Sequence, residues 1–351
     1  MEQDEIYMAR ALRLAKLAKG KTATNPMVGC VIVENGEVIG EGYHRVCGQA
    51  HAEVNAINSV KDKNRLKNST LYVNLEPCSH YGKTPPCANL IIEHSIARVV
   101  IGCKDSFSKV NGRGIAMMQE SGIEVKVGVL ESESIELNRR FFTFHKEQRP
   151  YIILKWAQTC DGFIDNNRDS NTPPTWLTGA RCKEIVHKMR SQESAIMVGS
   201  NTVTRDNPSL TVREWSGKNP IRVVIDRQLK LSREHSIFNS EARTIIINSI
   251  KEDENHIKID FNTDDAIKQM LYKLYEKGVC SMIVEGGEKL LNLFIYNNLY
   301  DEAKIFISPL SLNELDGGDG KNGVKAPLIP GGKKSSSKTV EGVIIKNILK
   351  R

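Results

Sequence analysis

A hairpin signal followed by a regular alternation of apolar runs and helical segments is the feature that most restricts the fold. Asn35-Gly36 lies between MVGCVIV and EVIGEGY. That dipeptide takes the positive-φ backbone of a two-residue turn, so it predicts two antiparallel strands. Upstream, residues 5 to 19 place Met8, Leu12 and Ala15 on one helical face, with Gly20 as a stop. Downstream come a helix from about His51, a strand TLYVNL, a helix after Cys87, a strand RVVIGC, a helix around GIAMMQES and a strand EVKVGV. Helices that alternate with strands pack onto the sheet, so the first half reads as an α/β sheet covered on both faces.

A chain of 351 residues exceeds the usual size of one hydrophobic core and suggests two domains. The polar stretch TFHKEQRP precedes a new strand, YIILKWA, and places the boundary so that the domains are 1–147 and 148–351. The second half again mixes apolar strands with amphipathic helices, one of them from Ala180 to Arg190. Residues 311 to 341 are rich in Gly, Lys, Ser and Asn, and are expected to form a mobile loop. No internal repeat is visible.

The net charge of +7 is spread over interleaved Lys, Arg, Asp and Glu, with no basic block and no aromatic-basic tract. A small phosphorylated ligand accounts for this excess as well as a nucleic acid does, and with no such tract the partner expected is a small phosphorylated molecule and not a nucleic acid. No run approaches the roughly 18 apolar residues of a membrane span, and MEQDEIYMAR lacks the apolar core of a signal peptide. The expectation is a cytoplasmic protein without a membrane partner; a homo-oligomer is compatible with the sequence. Eight cysteines without a regular framework read as reduced thiols. Cys30, Cys103, Cys160, Cys182 and Cys280 sit singly among apolar or small neighbours, as small buried hydrophobes do. Cys78 and Cys87 have a different context.

GQAHAEVNAI puts His51 and Glu53 two apart at a helix start, and NLEPCSHYGKTPPCANL supplies Cys78 and Cys87, each also expected at a helix start. Either part alone is weak. In this order they match the zinc nucleobase-deaminase pattern of His-x-Glu followed by Pro-Cys and a second Cys. One imidazole and two thiolates leave the fourth tetrahedral position open, as a catalytic zinc requires, and one zinc per chain is expected. Zinc lowers the pKa of its water from ~15.7 to about 7, which suits hydrolytic loss of an amine. Glu53 is the candidate to carry the protons. Positions two apart in mid-helix point to opposite sides, so His51 and Glu53 converge only over a helix's first turn. Cys87 follows Pro85-Pro86 and opens a helix whose dipole favours its thiolate.

At this level of detail the sequence resembles the bifunctional deaminase/reductase family of riboflavin biosynthesis. Eight residues separate Cys78 from Cys87, where other zinc deaminases usually have two, and the insert SHYGKTPP after LEP is close to that family's motif. NPMVG at Asn25 to Gly29, and Gly40, Gly42, His44, Gly48 and His51 within GEGYHRVCGQAHAE, keep its spacing. The resemblance implies a cytidine-deaminase-like three-layer N-terminal domain that deaminates 2,5-diamino-6-(5-phosphoribosylamino)pyrimidin-4-one at its 2-amino position. It assigns Asn25, His44, Lys83 and Asp105 to the pocket, with Lys83 suited to phosphate. Thr24 stands where the family usually has Pro, and Asp105-Ser106-Phe107-Ser108 replaces its Asp-Pro-Asn-Pro.

The second half resembles the family's dihydrofolate-reductase-like domain, in which NADPH reduces the ribose to a ribityl chain. LKWAQTCDGFI, TWLTGAR, VHKMR, IMVGSNTVTRDNPSLTVR and IVEGGEKLL carry the likeness. It places Lys155, Arg190, Leu210, Arg213 and Glu285 on the substrate side, with Lys155 catalytic, and Ala157, Trp176, Thr202, Asp206 and Gly287 on the NADPH side. Arg190 and Arg213 suit a phosphate, which a guanidinium binds bidentately. The alternative is a zinc deaminase of another nucleobase, a nucleoside or RNA, with an inactive or accessory C-terminal domain. The Cys spacing and the absence of a basic tract count against it.

Overall fold

A computed structural model describes residues 2–79, 81, 85–105, 112–166, 172, 175–316, 323–331 and 334–350. They fall into two compact units, residues 1–148 and 149–351.

The first unit runs α1 (Gln3–Lys16), β1 (Gly29–Glu34), β2 (Glu37–Tyr43), α2 (Ala52–Ser59), β3 (Thr70–Leu75), α3 (Cys87–Glu93), β4 (Arg98–Cys103), α4 (Arg113–Glu120), β5 (Glu124–Val127), α5 (Glu131–Leu137) and α6 (Arg139–Glu147). Asn35 and Gly36 take φ of 49° and 81°, as the tight turn between β1 and β2 requires. Among the described residues the sheet order is β2-β1-β3-β4-β5. The hairpin and β1–β3 are antiparallel, whereas β3–β4 and β4–β5 are parallel. Alternation along each strand feeds two cores. Cys30, Ile32, Leu71, Val73, Val99 and Ile101 meet Ala56, Ile57, Ala88, Ile91 and Met118 of α2, α3 and α4 on one face. Val31, Val33, Tyr72 and Val100 meet Met8, Ala11 and Leu12 of α1 on the other.

Close packing of α2 on β2 sets where its N-terminus lies. A Cβ added at Gly42 would sit 2.5 Å from Ala56 N and 2.6 Å from Asn55 Cβ. Asn55 Nδ2 also donates to Tyr43 O at 2.9 Å. Gly42→Ala must push α2 off the sheet, and overpacking of this kind costs about 1–3 kcal/mol. A lower Tm than the parent chain, read by circular dichroism, is the expected result.

The second unit runs β6 (Tyr151–Gln158), β7 (Phe163–Asn166), α7 (Ala180–Arg190), β8 (Ala195–Gly199), α8 (Ser200–Asp206), β9 (Ile221–Ile225), β10 (Thr244–Asn248), β11 (His256–Lys258), α9 (Ala266–Glu276), β12 (Ser281–Glu285), α10 (Glu288–Tyr296), β13 (Glu302–Ile307), α11 (Leu312–Asp316), β14 (Gly323–Lys325), β15 (Lys334–Val340) and β16 (Val343–Leu349). Its main sheet, among the described residues, has the order β11-β10-β9-β8-β12-β6-β13-β16-β15. Pairing is parallel from β11 to β13 and antiparallel at β13–β16 and β16–β15. One face packs on Met270, Leu271 and Leu274 of α9 and Leu291 and Phe294 of α10, the other on Cys182 and Met189 of α7 and Val203 of α8.

Two expectations are corrected and one is refined. The polar stretch TFHKEQRP is helical for most of its length: α6 covers residues 143–147 of it, and Phe141 and Phe144 of that helix are buried. Their spacing of three residues hides an amphipathic helix inside a polar-looking stretch. The 311–341 segment is not one loop either, because β15 pairs along its length with β16, and β14 pairs with β7. Serine and lysine suit an exposed edge strand, which a search for apolar runs passes over. Residues 317–322 and 332–333 of that segment lie outside the described residues. Cys160 is exposed, unlike Cys30, Cys103, Cys182 and Cys280, which are buried.

Candidate metal and reductase sites

His51 is the N-cap of α2, with extended φ and ψ of −71° and 166°, and Glu53 lies in the first turn. Cys87 is the first residue of α3, after Pro86 at its N-cap. Cys78 is not at a helix start: it lies in the connection after β3, where its Sγ accepts Cys87 N–H at 3.3 Å and its carbonyl accepts Ala88 N–H at 3.2 Å. That connection brings the two sulfurs to His51 Nδ1, at 3.6 Å for Cys78 and 3.3 Å for Cys87. All three donor atoms lie within 4.8 Å of one another. A tetrahedral zinc with Zn–S of ~2.3 Å and Zn–N of ~2.0 Å separates its ligand atoms by roughly 3.5 Å, so the triad fits that ion.

Electrostatics agree with the geometry. Cys78 is held well below the usual thiol range, chiefly by the hydrogen bond from Cys87 and also by His51, the direction a metal-ligating sulfur needs. Burial pushes the Glu53 carboxyl up to about 7, and the Cys78 thiolate pushes the same way. At 3 % exposure, Glu53 is a buried acid poised near neutrality.

Asn25, His44, Asp105, His51, Glu53 and Cys78 line one cavity of about 220 Å³. His44 Nδ1 lies 3.1 Å from Ala50 O and its Nε2 3.2 Å from Asn25 Nδ2. A carbonyl only accepts and an amide NH2 only donates, so the neutral ring carries its proton on Nδ1. Burial, opposed by the bond to Ala50, holds the His44 pKa below its ordinary value. Lys83 and Phe107 lie outside the described residues.

Sequence reasoning missed the residues that hold this wall. Asn138 Oδ1 accepts Met27 N–H at 2.8 Å and Asn74 Oδ1 accepts Gly29 N–H at 2.7 Å, which pegs the segment just after Asn25. Glu76 accepts the N–H groups of Asp105, Gly112 and Gly114 at 3.2, 3.0 and 3.2 Å. The LEP run before Cys78 was its only signal. Phe141 and His145 of α6 also line the cavity, and His145 Nε2 donates to Thr24 O at 3.3 Å.

In the second unit, β6 and β12 stand in register with Lys155 opposite Glu285. Lys155 Nζ is 3.9 Å from Glu285 Oε1, and Arg190 Nη2 from α7 donates to Glu285 Oε2 at 3.0 Å. Glu285 Oε1 is buried and has no hydrogen-bond partner among the described residues. Burial lowers the Lys155 pKa, opposed by Glu285 and reinforced by Arg190. Arg213 joins through Thr211: Arg190 Nη1 donates to Thr211 O at 3.3 Å and Arg213 Nη1 to Thr211 Oγ1 at 3.2 Å. Leu210 is buried in the left-handed region, with φ of 56°. Thr202 of α8 meets Gly287, whose N–H donates to Thr202 Oγ1 at 3.2 Å. A Cβ on Gly287 would meet nothing within 4 Å, so the N-terminus of α10 opens on free space of the kind a phosphate occupies. Ala157 is on β6 and Asp206 ends α8. Trp176 is 66 % exposed, with Lys183 Nζ 3.7 Å from its ring centre.

Fold and donor set define a zinc-deaminase unit and, in the same chain, a mostly parallel-sheet unit with a half-buried Lys–Glu–Arg cluster. The family model described as "Cytidine and deoxycytidylate deaminase zinc-binding region" matches residues 1–103, and "RibD C-terminal domain" matches residues 150–324. The riboflavin biosynthesis protein RibD of Aquifex aeolicus is 39 % identical over 321 residues, 89 % of each chain. A diaminohydroxyphosphoribosylaminopyrimidine deaminase/5-amino-6-(5-phosphoribosylamino)uracil reductase from Thermotoga maritima superposes with a TM-score of 0.84 at 35 % identity, covering 99 % of each chain. Acinetobacter baumannii RibD gives 0.84 at 29 % identity, covering 99 % of this chain and 98 % of that one. The chain belongs to the RibD family of riboflavin biosynthesis proteins. It is an enzyme of deamination and reduction with a zinc-binding deaminase region. Among the described residues, no helix is long and apolar enough to cross a membrane.

Proposed function

We propose that residues 1–147 deaminate 2,5-diamino-6-(5-phosphoribosylamino)pyrimidin-4-one and that residues 148–351 reduce the ribose of the product with NADPH. The observation that carries this reading is the convergence of the His51, Cys78 and Cys87 donor atoms at a cavity that His51, Cys78 and buried Glu53 line. It is supported by the two activities that the Thermotoga maritima relative carries in its name.

His51, Cys78 and Cys87 would hold zinc, which would supply a Lewis acid able to lower the pKa of a water to about 7. Glu53 takes a proton from the attacking water and delivers protons to the ring nitrogen and the departing amine. Asn25, His44 and Asp105 orient the pyrimidine, and Lys83 meets its phosphate. In the second unit Gly287, Thr202, Asp206, Ala157 and Trp176 would hold NADPH, which would supply the hydride. Lys155 holds or moves a proton at a ribose oxygen, with Glu285 and Arg190 around it. Arg213 takes the phosphate, and Leu210 shapes the pocket wall. All eight cysteines are unpaired, which fits the reducing cytoplasm where we place the enzyme.

Incubating the protein with the diaminopyrimidine substrate, with and without NADPH, tests both steps by mass spectrometry. Without NADPH the expected product has exchanged one amine for oxygen; with it, the product also gains two hydrogens. Absence of the first change overturns the deaminase assignment, and absence of the second overturns the reductase assignment. Lys155→Ala should lose at least about tenfold in ribose reduction, since a hydrogen bond from a charged group contributes about 1.5–3 kcal/mol. Deamination in that variant should match the parent; equal loss of both activities would contradict separate sites.

A further inference from the structure

The segment that carries Arg213 lies outside any helix or strand, so its own backbone does not hold it in place. Two side chains of α7, one turn apart, grip it. Arg190 takes Thr211 O, as described above. His187 Nδ1 accepts the backbone N–H of Arg213 at 2.8 Å and, more weakly, that of Glu214 at 3.4 Å. An imidazole nitrogen that accepts an N–H must present its lone pair, so the neutral ring keeps its proton on Nε2. His187 is 5 % exposed, so water does not readily replace these bonds.

We propose that His187 is a positioning residue of the reductase site: its neutral Nδ1 anchors the Arg213 backbone and thereby aims the guanidinium at the substrate's phosphate. This rests on the reading of Arg213 as a phosphate ligand. The anchor is specific to one protonation state. A protonated ring has N–H at both nitrogens, and its Nδ1 would then oppose the Arg213 N–H instead of accepting it.

The charges facing His187 are Arg190 of its own helix, Arg213 and Glu214 of the gripped segment, and Glu285 of β12. Burial pushes the His187 pKa below its ordinary value; the two arginines act the same way, and Glu214 and Glu285 oppose them. A histidine pKa depressed by folding means that the neutral, anchoring form is complete above the ordinary histidine range. It is lost as pH falls through the depressed folded value. The KM for the phosphorylated reductase substrate should therefore rise on the acid side, while the bond-making step keeps its rate.

The test uses full-length protein, steady-state reduction of 5-amino-6-(5-phosphoribosylamino)uracil, and amide hydrogen exchange of Arg213 and Glu214 without substrate. His187→Ala should raise KM about tenfold near neutral pH, with kcat within about twofold, since one to two modest hydrogen bonds are lost. The two amides should exchange faster, and deamination by the same protein should be unchanged. In His187→Asn, Oδ1 can replace Nδ1 as an acceptor and does not titrate. This variant should restore KM and the slow exchange, and flatten the acid rise of KM. Arg213→Ala separates the two claims. A raised KM in Arg213→Ala together with an unchanged KM in His187→Ala overturns the anchoring role alone. An unchanged KM in Arg213→Ala overturns the phosphate assignment and the anchor with it. Failure of His187→Asn to restore KM, or an acid rise that persists in it, also overturns the proposal.

Discussion

Cys87→Ser is expected to contain well under one zinc per chain and to show no measurable deamination. A serine hydroxyl stays protonated near neutral pH, whereas zinc takes a thiolate. The position is enclosed, because Cys87 is 2 % exposed and opens α3. Zinc content by atomic absorption and deamination by mass spectrometry should fall together, while ribose reduction continues. Full zinc content in this variant would show that Cys87 is not a ligand.

Glu53→Gln should instead keep its zinc and lose deamination by at least about 10²-fold, the lower end for a positioned acid/base group. The amide preserves the size and polarity of the side chain at the start of α2 but cannot shuttle a proton. Glu53 is deeply buried and its carboxyl is pushed up to about 7, which suits a group that both takes and gives a proton near neutral pH. Zinc content separates the two variants: Cys87→Ser loses metal and turnover, Glu53→Gln turnover alone. Near-normal turnover in Glu53→Gln would remove that residue from the mechanism.

The local physics of the chain made much of this readable. Asn35-Gly36 could be placed in a turn because few residues accept positive φ, and the helix from Ala180 to Arg190 because its apolar spacing repeats. His51 and Glu53 could be placed over one helix start because only there do residues two apart converge. Cys78 could not be placed in the same way. Its position depends on a connection held by bonds from Cys87 and Ala88, which are nine and ten residues further along.

By itself the sequence determined the α/β alternation, the donor set of His51, Cys78 and Cys87, and the pairing of these with Glu53, because residue type and short-range spacing carry that information. Only the tertiary structure decided what surrounds them. Asn138 reaches Met27 across 111 positions, and Glu76 gathers the amides of Asp105, Gly112 and Gly114. Glu285 meets Lys155 because β12 inserts beside β6, and His187 meets Arg213 because α7 packs where that segment passes. The physical reason is common to all four. A buried polar group must find partners, but which partners it finds is settled by strand order and helix packing over long sequence separations, where no local periodicity reports it.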